Sequence, residues 1–229
     1  MTSKPNIQLS VVIVNYNVYH FLDLCLRSVE KACANLNAEI IIVDNASSDD
    51  SCALVSKNFP KVTLLCNKDN VGFSKANNQG VDVAKGEFVL ILNPDTVVAE
   101  STFLELLSFA DEHPKMGAVG VQLVDGTGAY LPESKRGIPT LKASFNRFLG
   151  KDKNKGTYYA NDIEQEEEGE IKILVGAFMF MKTNVYKEVG GFDEDYFMYG
   201  EDIDLSYKLL KAGYKNYYLG GVKCIHFKG

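Results

Sequence analysis

The sequence has no CxxC pair, no GxGxxG, no GxxxxGK(S/T) and no excess of basic residues. Each absence closes a class of function. With no glycine-rich turn after the first apolar run, the nicotinamide and P-loop readings lose their main support. A net charge of −6 argues against a general nucleic-acid binder, whose phosphate contacts need a basic surface. No apolar stretch approaches a membrane span, and the opening MTSKPNIQLSVVIVNYN carries no long apolar leader. The five cysteines, Cys25, Cys33, Cys52, Cys66 and Cys224, lie mostly in apolar, periodic contexts. They read as reduced core residues of a cytosolic protein. Asn45-Ala46-Ser47 spells a glycosylation acceptor, which means little without a secretory signal. There is no internal repeat.

What is present is an ordinary globular composition, 46% hydrophobic and 24% charged over 229 residues, enough for one large domain or two small ones. Apolar, β-branched runs recur at 9–14, 38–43, 61–65, 87–92 and 117–124. Helical patterns lie between most of them. Leu22, Leu26, Val29 and Cys33 fall on one helical face, and STFLELLSFADEHP begins with Ser101 and Thr102 as caps and stops at Pro114. Strands alternating with helices predict an α/β fold with a largely parallel sheet. Their continuous apolarity predicts a sheet covered on both faces.

The alternation stops near residue 125. Residues 125–170 read as a long excursion or lid, with an apolar stripe of Leu141, Phe145, Phe148 and Leu149 flanked by Lys142, Arg147 and Lys151. The stripe reads as a lid packed on the core or, with a lipid-linked acceptor, as a peripheral membrane contact. A second ordered region runs from IKILVGAFMFMKT to YYLGGVKCIHFKG. The chain stops abruptly after a strand-like segment, as a fragment of a longer protein does.

Three apolar runs end in polar residues: Asn15-Tyr16-Asn17, Asp44-Asn45 and Asn93-Pro94-Asp95. One such end would be a turn, since Asn and Asp favour turns. Three on one sheet edge make a shared site the better explanation, because ligands of such sheets gather at the carboxyl ends of the strands. Asp44 there can accept hydrogen bonds from a base ring. A single carboxylate at Asp95 suits a hard cation, Mg²⁺ or Mn²⁺, shared with a diphosphate.

These segments, together with NKDNVGFSKANNQG, VGAFMFMKTNVYKEVGGFDEDYFMYGEDIDLSYKLLKAG and HFKG, resemble the inverting family-2 glycosyltransferases, in particular the bacterial rhamnosyltransferase-like subgroup. The resemblance runs in order from Leu9 to Gly229. It implies a GT-A fold with a nucleotide-sugar-binding half (1–124), the excursion (125–170), and a continuous acceptor-binding and catalytic half (171–229). By analogy Asn15, Tyr16, Asn17 and Asp44 line the base and ribose pocket. Asn70, Gly72 and Phe73, continuing to Lys75 and Asn77, close over the nucleotide. Asn93-Pro94-Asp95 stands where the family has DxD, so metal ligation rests mainly on Asp95.

His226, with Gly229, matches the family's HxxG. It reads either as a packed strand-end histidine or as a contact to diphosphate or metal. Lys135 and Arg136 read as a solvated basic loop, against which the resemblance sets Arg136 near the donor diphosphate. Gly176 and Ala177 fall on the acceptor side, across from Glu201-Asp202, the family's ED pair. Asp202 then matches the general base, which takes the proton of the attacking hydroxyl. Glu201 lies on the acceptor side, and Asp204, four residues before Lys208, suits helix capping. Phe197 and Tyr199 are expected to desolvate the base and stack on sugar rings.

The reading is therefore a cytoplasmic enzyme, or one at the inner face of the membrane, that uses a dTDP- or UDP-sugar, a divalent cation and a glycan or lipid-linked acceptor. A sugar nucleotidyltransferase and a non-catalytic nucleotide-sugar-binding module are the competing classes. The first normally shows a glycine-rich, Arg/Lys-bearing loop after strand one, where this chain has NYNVYHF. The retained Asp95 and Asp202 speak against the second.

Overall fold

A computed structural model describes residues 7–136 and 163–228. In order the elements are β1 (Leu9–Asn15), α1 (Tyr19–Ala32), β2 (Ala38–Asp44), α2 (Ser51–Asn58), β3 (Thr63–Cys66), α3 (Phe73–Val83), β4 (Phe88–Leu92) and β5 (Thr96–Val98). There follow α4 (Thr102–Glu112), β6 (Met116–Val124), β7 (Glu168–Ile171), β8 (Phe178–Lys182), α5 (Thr183–Glu188), α6 (Glu201–Lys211) and β9 (Lys215–His226). The five apolar runs are all strands, and the α/β class is as expected. The apolar stripe from Leu141 to Leu149 and Gly229 lie outside the described residues.

All nine strands join one sheet, in the order β3-β2-β1-β4-β8-β6-β9-β5, with β7 also on β9. The block β3-β2-β1-β4 is parallel throughout. β8 runs against both β4 and β6, while β9 runs with β6, so six of the nine strands point one way. Alternation along a strand divides the core between the two faces. Leu9, Val11 and Ile13 pack with α1, α2 and α4, and Val12 with Ile41, Val89 and Ile91 faces the other way, into the cluster that takes in α3, α5 and α6. Each such apolar side chain contributes roughly 1.5–3 kcal/mol by leaving water. α3 lies so close on β1 that a Cβ on Gly80 would stand 2.4 Å from Val12 Cγ1.

Two local expectations change. Ser101 makes no capping side-chain bond; instead Thr102 Oγ1 accepts the Ala99 N–H at 3.1 Å, fixing the chain's entry into α4. The cysteines divide: Cys25 and Cys224 are buried, Cys33 and Cys52 are half-buried, and Cys66 is exposed. Periodicity hid this, because Cys66 closes a short strand whose ends face solvent.

β9 matters most for the site. Its register on β6 shifts between Val121–Leu219 and Gln122–Lys223, at the Gly220-Gly221 pair. Such a bulge bends a strand and re-aims the residues beyond it. From there β9 crosses to β5, where His226 pairs with Thr96, the residue after Asp95.

Candidate active site

The polar strand ends are neighbours. β2, β1 and β4 are adjacent, Asn15 is in register with Asp44, and Ile13 with Leu92. Asn15 is fully buried; its Nδ2 donates to Asp44 Oδ2 at 2.8 Å and to Ser47 Oγ at 3.0 Å. Asp44 is 2% exposed, and its Oδ1 accepts the Ser47 N–H at 2.9 Å. In this structure the Asp44 carboxylate therefore holds the strand ends together. Asn17, in the left-handed region at φ 56°, accepts the Ser48 N–H at 2.7 Å, while its own N–H donates to Ser47 Oγ. Tyr16 stands exposed between them.

Asn45 ties in the next loop. Its Nδ2 donates to Gly72 O at 3.1 Å, and its Oδ1 accepts from Asn67 Nδ2 at 2.9 Å. With 2% exposure and both amide atoms engaged, Asn45 is no glycosylation acceptor. Asn70 Oδ1 caps the Gly72 N–H at 3.0 Å. Gly72 has φ +87°, and a Cβ there would meet Phe197 O at 2.7 Å, so the position admits only glycine without strain. Lys75 is exposed at the start of α3, whereas Asn77 is buried with its Nδ2 on Phe73 O.

Asp95 lies in the turn after β4, and His226 Nε2 is 3.4 Å from its Oδ1. His226 Nδ1 and Asn93 Oδ1 are buried without a hydrogen-bond partner. Unpaired buried polar atoms usually mark a place for an ion, water or ligand. Among the described residues no group of three or more His, Cys, Asp or Glu side chains is set to hold a metal. Two protein donors still fit Mg²⁺ or Mn²⁺, which keep waters and share phosphate oxygens.

The acids of α6 sit across the same edge. Gly200, at φ +104°, turns the chain into the helix, and Glu201 and Asp202 are both buried. Asp202 Oδ2 accepts the Gly176 N–H at 3.1 Å and pairs with Arg136 Nη1 at 3.2 Å; Oδ1 accepts the Ile203 N–H at 2.8 Å. Glu201 Oε2 is buried without a partner. Burial raises the Glu201 carboxyl above its ordinary range; the Asp202 charge adds to this and Arg136 opposes it. Asp204 pairs with Lys208 one turn on at 2.7 Å, but it does not cap: Gly200 is the N-cap, without a side-chain capping bond.

Two further expectations are corrected here. The 196–199 aromatic cluster does not desolvate Asp202: Phe197 is 55% exposed and Tyr199, at φ 69°, is 83% exposed. Lys135 is no solvated loop residue: it is 5% exposed, with its ammonium on Ile163 O and over the Tyr218 ring. Arg136 meets Asp202 directly, held by backbone pairing to Ile173.

Backbone hydrogen bonds join the halves of the site. Asn93 N–H donates to Ala177 O at 2.9 Å, so the Asp95 turn is one residue from the glycine that holds Asp202. Phe73 N–H donates to Phe197 O at 2.8 Å, locking the Gly72 loop to the aromatic loop before α6. A Cβ on Gly176 would lie 3.5 Å from Asp202 Cβ and 3.6 Å from Glu201 Oε1, ordinary contact distances. The fold itself thus tolerates a methyl there. Sequence reasoning gave no role to Ser47, Ser48 and Asn67, which lace the loops; their signal was only their place inside the NASSDDS and NKDN segments.

With this geometry in view, comparison with known proteins is decisive. Residues 10–190 match glycosyl transferase family 2. The chain belongs to that family. N-acetylglucosaminyl-diphospho-decaprenol L-rhamnosyltransferase of Mycobacterium tuberculosis is 27% identical over 96% of this chain and 76% of its own length. Rhamnosyltransferase WbbL of Escherichia coli is 26% identical over 87% of this chain and 78% of its own. The crystal structure of GalNAc-T7 with UDP, GalNAc and Mn²⁺ superposes with TM-score 0.73 at 18% identity, covering 98% of this chain. The chain spans 44% of that longer protein. This family-2 glycosyltransferase has the GT-A fold and falls with the rhamnosyltransferase-like subgroup, as its segments suggested.

Proposed function

We propose that the enzyme transfers a sugar from a dTDP- or UDP-sugar to an acceptor hydroxyl with inversion. One observation carries the reading: the Asn93–Ala177 bond sets the Asp95–His226 pair beside the Gly176-bound Asp202. A cation–diphosphate site at that pair would adjoin a buried carboxylate. Donor base and ribose would rest on the edge formed by Asn15, Tyr16, Asn17 and Asp44, under the Asn70–Phe73 loop and Lys75. Asn77 would act from within α3 by holding that loop. The UDP in the GalNAc-T7 structure supports a pyrimidine donor.

Asp95 and His226, with Asn93 Oδ1 nearby, would hold a divalent cation, in keeping with the Mn²⁺ of that structure. Such an ion supplies charge neutralisation for a departing diphosphate. Arg136, whose Nε is buried without a partner, would add a donor on the same side and orient Asp202. Asp202 accepts the proton of the attacking hydroxyl as that oxygen approaches the anomeric carbon. Attack opposite the leaving group inverts the centre in one step.

Gly176 and Ala177, against Glu201, would lie on the acceptor side, and the exposed Tyr196–Tyr199 strip offers aromatic faces to a sugar. The diphospho-decaprenol acceptor in one relative's name supports a glycan or lipid-linked acceptor, and with it a role in cell-surface polysaccharide assembly. Such an acceptor would bring the enzyme to the inner face of the membrane. Among the described residues no helix is long and apolar enough to cross one.

The test is a donor panel of dTDP-rhamnose, UDP-galactose, UDP-glucose, UDP-GlcNAc and GDP-mannose, scored by release of nucleoside diphosphate with Mn²⁺ or Mg²⁺. Release from a dTDP- or UDP-sugar is expected. Turnover of GDP-mannose alone, or pyrophosphate exchange in place of diphosphate release, contradicts the proposal.

A further inference from the structure

Two cysteines outside the reaction face each other. Cys52 is the second residue of α2 and Cys66 the last of β3, and their Sγ atoms are 3.5 Å apart. A disulfide needs about 2.05 Å, so small side-chain rotations separate the thiol pair from a bond. Cys66 is exposed, unlike the deeply buried Cys25 and Cys224. It is also in register with Asp44, and the N–H of its neighbour Asn67 donates to Asp44 O at 2.8 Å. Burial, with the neighbouring Cys66 and Asp44, pushes the Cys52 thiol up to about 12, and exposure makes Cys66 the sulfur that an outside disulfide reaches first.

We propose that Cys52 and Cys66 are a modification site, a dithiol that closes to a disulfide and ties α2 to the strand edge beside Asp44. With a small disulfide such as oxidised glutathione, the Cys66 thiolate attacks one sulfur, forming a mixed disulfide and expelling one glutathione thiolate. Cys52 then gives its proton to solvent and displaces the second glutathione from Cys66. Two protein thiols are oxidised, and one disulfide is reduced to two thiols. This chemistry does not depend on the transfer reaction.

The experiment incubates the full chain with oxidised glutathione, quenches with an alkylating agent, and reads intact mass and non-reduced peptide maps. The wild type should lose two hydrogens, retain no glutathione and yield one cross-linked peptide pair carrying Cys52 and Cys66, all reversed by dithiothreitol. Cys52→Ser should instead accumulate glutathione on Cys66. A wild type that keeps both thiols, that holds glutathione on Cys66 without closing, or that cross-links through other cysteines overturns the proposal. The wild-type map alone decides the matter if a variant fails to fold.

Discussion

At the residue scale the two buried acids of α6 differ in kind. Asp202 has Arg136 and two backbone N–H groups, whereas Glu201 Oε2 has no partner and its carboxyl is raised by burial. A raised carboxyl keeps its proton in the fold to a higher pH than in the unfolded chain. The stability it contributes is complete below the ordinary glutamate range and is lost as pH rises through the folded value. Glu201→Gln keeps the neutral shape, so it should melt above wild type at about pH 7 and level with it at about pH 4, near an ordinary carboxylate's range. A gap independent of pH in calorimetric scans would contradict this. Asp95 is tested through metal. Asp95→Ala should weaken Mn²⁺-dependent binding of UDP or dTDP and leave the melting temperature near wild type. Unchanged calorimetric affinity with Mn²⁺ removes Asp95 from the cation.

At the element scale the decisive joint is the Gly72 loop against the loop that enters α6. Gly72 and Gly128 share a φ of +87°, but a Cβ at Gly128 meets nothing within 4 Å, while one at Gly72 meets Phe197 O and the Phe197 ring. Gly72→Ala should therefore cost more than Gly128→Ala, which carries the backbone strain alone, roughly 1–3 kcal/mol. Equal urea midpoints for the two variants would show that the loops do not bear on each other. The runs that became β1 to β4 and β6, and the helices α1 and α4, were legible because each has an apolar period or run of its own; β7, a polar EGEI inside the expected excursion, was not. The loop contacts were not. Tyr199 lies in the left-handed region and turns the aromatic side chains outward, which no periodicity records. The Arg136–Asp202 pair spans 66 positions and depends on the register of Arg136 against Ile173.

At the scale of the whole molecule, the site exists because one sheet carries both halves. β1, β2 and β4 bring the polar edge proposed for the donor, β8 brings Gly176 and Ala177 alongside, and the bulged β9 returns His226 to Asp95. The three polar strand ends were legible as neighbours on one edge because each follows an apolar run. That two hydrogen bonds through Gly176-Ala177 would link the edge to Asp202 of α6 was not, since it rests on the antiparallel insertion of β8. We propose that this arrangement separates holding the donor from activating the acceptor. The direct measurement is donor affinity and sugar transfer for Asp202→Asn beside wild type, in one preparation checked for an unchanged fold. Transfer should fall by roughly 10²–10⁴-fold, the usual worth of a general base, with donor affinity nearly unchanged. Transfer at the wild-type rate by Asp202→Asn would contradict the account.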